Sequence, residues 1–131
     1  MPIELPKQIL IVDDEADIRS VVQITLEISG GLEAETCSSG AAAIEFIAKT
    51  PPDLVLLDVM MPGMDGPETL KRLKAEPATA SIPVIFMTAK VQPAEVEEYY
   101  RMGVAGVVSK PFNPRELVNS VMGFWTKIHA E

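Results

Sequence analysis

Three acidic residues directly follow two short apolar runs of the sequence. Asp13 and Asp14 come after Gln8–Val12, and Asp58 comes after Leu54–Leu57. Apolar runs without polar alternation are typical of strands that are buried on both faces of a parallel sheet. If these two strands lie side by side, their carboxyl ends coincide. The three carboxylates then meet at the edge where open α/β sheets bind ligands.

Mutual repulsion limits what such a cluster of acids can be. Three like charges within a few ångströms need a cation, or raised pKa values, to remain close together. The pattern therefore indicates a divalent metal ion and chemistry on one of the acids. The alternative for Asp14 and Asp58 is a helix N-cap or a turn, which is the usual role of an aspartate after a strand.

Composition excludes several other classes of protein. The chain has 131 residues, which suits one domain, and its formal net charge of −8 argues against direct binding of nucleic acid. Neither a signal peptide nor a membrane association is expected, because the sequence lacks a basic N-terminal region and any run of about 18 apolar residues. Cys37 is the single cysteine, so no internal disulfide can form and a cytoplasmic location is expected.

Predicted strands alternate with helical patterns along the chain, which is typical of βαβ units. The five predicted strands are Gln8–Val12, Glu33–Cys37, Leu54–Asp58, Pro83–Thr88 and Gly106–Ser109. The second strand is short and more polar than the others, so we place it at an edge of the sheet.

Five helices are predicted to follow the strands. Apolar residues recur at helical spacing in the first helix, which ends at Gly30-Gly31, and on one face of the last helix, which Pro114 opens. The two stripes are Ile18, Val21, Val22, Thr25 and Leu26 in the first helix and Leu117, Val118, Val121, Trp125 and Ile128 in the last. Right-handed crossovers between the strands then favour a three-layer, doubly wound sheet.

Four motifs of this chain resemble those of the receiver domain of two-component response regulators. They are Asp13-Asp14-Glu15, the segment Leu57–Gly66, Met87-Thr88-Ala89 and Lys110-Pro111-Phe112. One such motif is a weak signal, but four in this order, each at the end of a predicted strand, are specific. The resemblance covers nearly the whole chain and implies one receiver domain over residues 1–131, with its core at about 7–126. It also implies a flavodoxin-like, CheY-like α/β fold whose five parallel strands have the order 2-1-3-4-5 and are flanked by five helices.

The resemblance implies a phosphorylation-dependent signalling role and not a metabolic enzyme. Asp58 would be the phosphoacceptor, a carboxylate nucleophile that receives a phosphoryl group from a sensor histidine kinase or a histidine phosphotransfer protein. Lys110 and the Thr88 hydroxyl would contact the phosphoryl group. The domain would catalyse only its own phosphorylation and dephosphorylation. The Lys110-Pro111 peptide bond is expected to be cis.

The same resemblance implies a ligand set for the metal ion. Asp13, Asp14, Asp58 and the backbone carbonyl of Met60 would hold Mg²⁺, or Mn²⁺ in its place. Mg²⁺ prefers hard oxygen ligands and retains several waters, which leaves room for phosphoryl oxygens.

Several matters stay open at this level. The downstream partner is expected to be a protein, and the receiver is expected to be a monomer or a phosphorylation-dependent dimer. The chain ends soon after the fifth helix, so it is either a complete single-domain regulator or part of a longer protein. A further open point is Val107, which stands where the family often has an aromatic residue.

Three other functions compete with the signalling role. A flavin-binding electron carrier needs a phosphate loop after the first strand, where Asp13-Asp14-Glu15 would repel a phosphate. An aspartyl phosphatase resembles Asp-x-Asp at the end of its first strand, whereas Asp58 is followed two positions later by Met60. A degenerate receiver that serves only for docking would lack phosphorylation residues, and none is lacking here.

Overall fold

The computed structural model describes residues 5–129, which form a parallel sheet between two layers of helices. The strands are β1 (Gln8–Val12), β2 (Glu33–Cys37), β3 (Leu54–Asp58), β4 (Val84–Thr88) and β5 (Gly106–Ser109). The helices are α1 (Ala16–Ile24), which continues as a π-helical segment (Thr25–Ser29), α2 (Gly40–Lys49), α3 (Gly66–Ala75), α4 (Pro93–Arg101) and α5 (Pro114–His129).

The strand order is β2-β1-β3-β4-β5, and every neighbouring pair is parallel. This confirms the predicted doubly wound sheet and its order. Four strands have the predicted bounds, whereas β4 begins one residue later, because Pro83 does not join the ladder as a strand residue. The polar strand β2 lies at an edge, as predicted.

Side chains of the central strands alternate between two hydrophobic cores. Ile9 and Ile11 of β1 point into the core beneath α1 and α5, and Leu10 and Val12 point into the core beneath α2, α3 and α4. Burial on both faces explains why the sequences of these strands are apolar at consecutive positions. It also holds the carboxyl ends of β1 and β3 in fixed positions at one edge of the sheet.

The predicted stripes of the first and last helices are only partly buried. Val22, Thr25 and Leu26 are buried as predicted and Ile18 is partly buried. Val21 is 47% exposed, because it lies at the margin of the face that packs on the core. Ile128 is also 40% exposed, since it lies past Trp125, the last buried residue of α5.

None of the helices described for residues 5–129 combines the length and the apolar character that a membrane span requires.

Candidate functional site

The register of β1 and β3 brings the acids together. Val12 lies opposite Leu57, so Asp13 and Asp58 are the next residues of two neighbouring parallel strands. Backbone hydrogen bonds continue at this edge, since the Asp13 N–H donates to the Cys37 carbonyl at 3.2 Å. Carboxylate oxygens of Asp13, Asp14 and Asp58 lie within 4.8 Å of one another. The predicted convergence of the three acids is therefore present in the structure.

Lys110 links two of these acids. Its Nζ lies 2.7 Å from Asp13 Oδ2 and 2.9 Å from Asp58 Oδ1. The residue directly follows β5, and its backbone N–H donates to the Thr88 carbonyl at 2.8 Å, which ties it to the end of β4. The peptide bond between Lys110 and Pro111 is cis. One ammonium group thus bridges carboxylates that come from two different strands.

Burial changes the ionisation of this site. Asp13 is fully buried and Asp58 is 3% exposed, whereas Asp14 is exposed to solvent. Burial, together with the charges of Asp13 and Asp14, raises the pKa of Asp58 despite the opposing effect of Lys110. Burial by itself would lower the pKa of Lys110, but its hydrogen bonds to Asp13 and Asp58 outweigh this effect and raise it. The ammonium therefore stays charged beside the acids.

The charge and the donor atoms of the site fit a hard divalent cation. Three carboxylates and one ammonium leave a formal charge of −2, which a divalent ion would neutralise. All the candidate side-chain donors are oxygens, the ligand type that Mg²⁺ prefers. Exposed Asp14 leaves one side of the cluster open to water. The group of acids could therefore hold a metal ion.

Thr88 and Met60, the two other predicted site residues, differ in their burial and in their contacts. Thr88 ends β4, is nearly fully buried, and its Oγ1 accepts a hydrogen bond from the backbone N–H of Lys90 at 2.9 Å. Within residues 5–129, no hydrogen bond joins the Thr88 side chain to the acids. Met60 lies two residues after Asp58 in the loop that leads to α3, and its side chain is exposed.

The alternative role of the acids as helix caps is wrong. The N-cap residue of α1 is Glu15, whose side chain makes no capping hydrogen bond, and the N-cap residue of α3 is Asp65. Asp65 Oδ1 accepts from the Glu68 N–H at 2.9 Å. Neither Asp14 nor Asp58 is thus an N-cap residue of these helices.

Sequence reasoning missed the groups that orient Asp13. The Glu15 N–H donates to Asp13 Oδ1 at 2.9 Å, and Arg19 Nη1 donates to the Asp13 backbone carbonyl at 2.8 Å. The only signal in the sequence was a basic residue six positions after Asp13, on a helix that starts beside the acids. Many solvent-facing arginines have that spacing, so the contact becomes visible only in three dimensions.

Comparison with known proteins gives a consistent result. The family model for the response regulator receiver domain matches residues 9–122. The chain is 44% identical to the phosphate regulon transcriptional regulatory protein PhoB of Pseudomonas aeruginosa over 114 residues, which cover 86% of this chain and 48% of that protein. It is 34% identical to the DNA-binding response regulator MtrA of Mycobacterium leprae over 115 residues, which cover 88% of this chain and 49% of that protein. The chain thus spans about half the length of these curated relatives.

Solved structures with the same architecture cover nearly all of the chain. The chemotaxis response regulator CheY4 of Vibrio cholerae superposes with a TM-score of 0.84 at 31% identity, over 90% of this chain and 98% of that one. The N-terminal domain of a response regulator receiver protein from Methanoculleus marisnigri has a TM-score of 0.73 at 40% identity, over 98% of this chain and 99% of that one. A family match of this extent, together with these relatives, shows that the chain belongs to the response regulator receiver domain family.

Proposed function

We propose that this receiver accepts a phosphoryl group on Asp58 and thereby switches its binding to a downstream protein. The observation that carries the proposal is the buried Asp58 carboxylate, held 2.9 Å from Lys110 Nζ and close to two further acids. Receiver domains interact with histidine kinases. The proposed phosphodonor is therefore the phosphohistidine of a sensor kinase or of a phosphotransfer protein, in the cytoplasm.

The nucleophile of this reaction is one oxygen of Asp58. Lys110 occupies Oδ1, and within the described residues Oδ2 accepts no hydrogen bond, so Oδ2 is the proposed attacking atom. Its electron pair forms a bond to phosphorus while the bond from phosphorus to the histidine nitrogen breaks and leaves its electrons on the imidazole. The product is an acyl phosphate, which an in-line water later hydrolyses. The domain catalyses both steps on itself.

Asp13, Asp14, Asp58 and the backbone carbonyl of Met60 are the proposed ligands of Mg²⁺, with Mn²⁺ as the alternative ion. When bound, the ion supplies positive charge against the developing charge on the phosphoryl oxygens. The Asp14 carboxylate is exposed and would be the first ligand that a cation from solvent meets, and buried Asp13 is oriented by the Glu15 N–H.

Lys110 and Thr88 then respond to the new group. The Lys110 ammonium exchanges a carboxylate oxygen for a phosphoryl oxygen, since both are acceptors of the same charge-assisted hydrogen bond. The Thr88 hydroxyl can donate its hydrogen to the phosphoryl group while its oxygen still accepts from the Lys90 N–H. Movement of Thr88 therefore carries the loop between β4 and α4 with it. Val107 has no aromatic ring that could move between a buried and an exposed position, so the proposed response does not involve a side-chain rotation at this residue.

Asp58 is expected to be the one site that is phosphorylated by acetyl phosphate with Mg²⁺. Intact-mass measurement should show a single added phosphoryl group in the wild type and none in Asp58→Asn. Asp65→Asn is the matched control, because Asn also caps helices and this acid lies outside the cluster. Equal labelling of Asp58→Asn and the wild type would contradict the assignment.

Mg²⁺ should stabilise the folded protein, because the unfolded chain has no cluster of acids. A free concentration of 100 times the Kd corresponds to about 2.7 kcal/mol of added stability. Thermal melting with Mg²⁺ and with chelator should show this gain in the wild type and little of it in Asp14→Ala. Asp17→Ala removes another exposed acid from the first turn of α1 and should keep the full gain. A midpoint that does not respond to Mg²⁺ would reject the metal site.

Ionisation of Asp58 should make the metal-free protein less stable at neutral pH. Because burial raises its pKa in the folded state, the folded protein binds more protons at Asp58 than the unfolded chain does. Stability therefore falls as pH rises through this raised pKa. In chelator, urea unfolding should show Asp58→Asn as more stable than the wild type at pH 7. The advantage should shrink as pH falls towards the ordinary carboxyl range, and an advantage independent of pH would contradict this account.

Beryllofluoride, a mimic of the phosphoryl group, should act through Thr88. In amide NMR spectra, its addition should shift the signals of Lys90 and Val91 in the wild type and in Thr88→Ser. Thr88→Val keeps the size of the side chain but loses the hydroxyl, so it should bind the mimic with little shift of this loop. A response dominated by a rotamer change at Val107, with Lys90 unmoved, would show that the signal follows another route.

A further inference from the structure

The first residue of α3 contacts the backbone that carries Asp58. A Cβ atom on Gly66 would lie 2.5 Å from the Asp58 carbonyl oxygen and 2.8 Å from the Val59 Cα, distances that real Cβ atoms do not adopt. The Gly66 N–H also donates to the Val59 carbonyl at 2.9 Å. The N-terminus of α3 is thus packed directly on the end of β3.

Space, and not backbone conformation, is what requires a glycine here. The described glycines with left-handed φ values are Gly31, Gly63 and Gly103, and Gly66 is not among them. At Gly63, in the same loop, the backbone conformation and not the space requires a glycine, since its φ is 74° and nothing lies within 4 Å of an added Cβ. Any side chain at position 66 would push against backbone atoms, which cannot turn aside as the end of a flexible side chain can.

A buried threonine lies between the first turn of α3 and the start of α2. Thr69 is fully buried, and its hydroxyl donates to the Asp65 carbonyl at 2.8 Å. On its other side, a Cβ on Gly40 would overlap Thr69 Oγ1 and approach the Met64 carbonyl oxygen to 3.2 Å. The first turn of α3 is therefore enclosed between the start of α2 and the backbone of Asp58.

We propose that Gly66 and Thr69 are positioning residues of the phosphorylation site. Close packing of α3 sets where the Asp58 carboxylate stands relative to Asp13 and Lys110, and with it the shape of the metal site. This inference rests on the proposed function. It extends that function to residues that touch neither the metal ion nor the phosphoryl group.

The geometry of the site explains why a small displacement matters. Mg²⁺ requires near-octahedral coordination at about 2.0–2.1 Å, so its affinity is sensitive to shifts of a few tenths of an ångström in one ligand. Phosphoryl transfer depends on in-line alignment, and a misplacement of about 1 Å can cost about 100-fold in rate. Gly66→Ala must separate α3 from the Asp58 and Val59 backbone, and Asp58 is a ligand and the nucleophile at once.

The test compares Gly66→Ala with Gly31→Ala. Gly31 has φ of 66° and nothing within 4 Å of an added Cβ, so its substitution strains the backbone in the turn before β2. This turn lies at the amino ends of the parallel strands, whereas the acids lie at their carboxyl ends. Three quantities are measured for each variant: the free energy of urea unfolding in chelator, the Kd for Mg²⁺ by calorimetry, and the rate of phosphorylation by acetyl phosphate. Both variants should be less stable. Only Gly66→Ala should lose Mg²⁺ affinity and phosphorylation rate, each by about tenfold or more.

A second pair of variants separates positioning from folding. Thr69→Val keeps the volume of the side chain but removes the hydroxyl that bonds to the Asp65 carbonyl, and Thr69→Ser retains that hydroxyl. Thr69→Val should weaken Mg²⁺ binding several-fold, and Thr69→Ser should restore it to near the wild-type value. If Gly66→Ala does not fold, this pair decides the matter.

The possible outcomes distinguish this inference from the proposed function. Wild-type Mg²⁺ affinity and phosphorylation rate in a less stable Gly66→Ala or Thr69→Val would overturn the positioning role while leaving the phosphorylation site intact. A wild type that binds Mg²⁺ but is not phosphorylated would overturn the proposed function, and the Kd comparison would still test positioning. A wild type that binds no Mg²⁺ would overturn both.

Discussion

The ion pairs of Lys110 with Asp13 and Asp58 are the interactions on which this site depends. Without a cation between them, two buried carboxylates from adjacent strands would repel each other in surroundings where water cannot screen them. Lys110 Nζ reaches both within 2.9 Å and so lets the sheet edge keep its acids close together before any metal ion arrives. The compensation is incomplete, since three acids face one ammonium. This residual negative charge favours a positive ligand over a negative one.

Much of the fold follows from features that sequence alone displays. Strands buried on both faces must be apolar throughout, so β1, β3 and β4 were recognisable, and parallel pairing then placed Asp13 and Asp58 together. Val21 was misplaced because helical spacing cannot tell the centre of a buried stripe from its margin. Gly66 could not be understood before the structure was known, because its role depends on a backbone carbonyl eight residues away that α3 approaches only after folding.

Val107 has no aromatic ring, but the strand beside it carries a ring that packs on α4. Val107 lies opposite Phe86 in the register of β4 and β5, and Phe86 makes an edge-to-face contact with Tyr99 of α4, with ring centroids 5.2 Å apart. All three belong to, or pack against, the same core. The strand that ends in Thr88 is therefore joined to α4 through buried rings. Tyr100, the next residue, is 45% exposed and takes no part in this contact.

The exposure of Asp14 has a consequence for the timing of events at this site. Because one acid already faces bulk water, a divalent cation can arrive and depart without any part of the fold moving aside. The rate of exchange would then depend on how readily the ion loses its hydration waters, which Mg²⁺ does slowly. Occupancy of the cluster by such an ion would accordingly follow the free cation concentration of its surroundings. In the proposed function, the ion would then be needed at all times, and only the phosphoryl group would carry the signal.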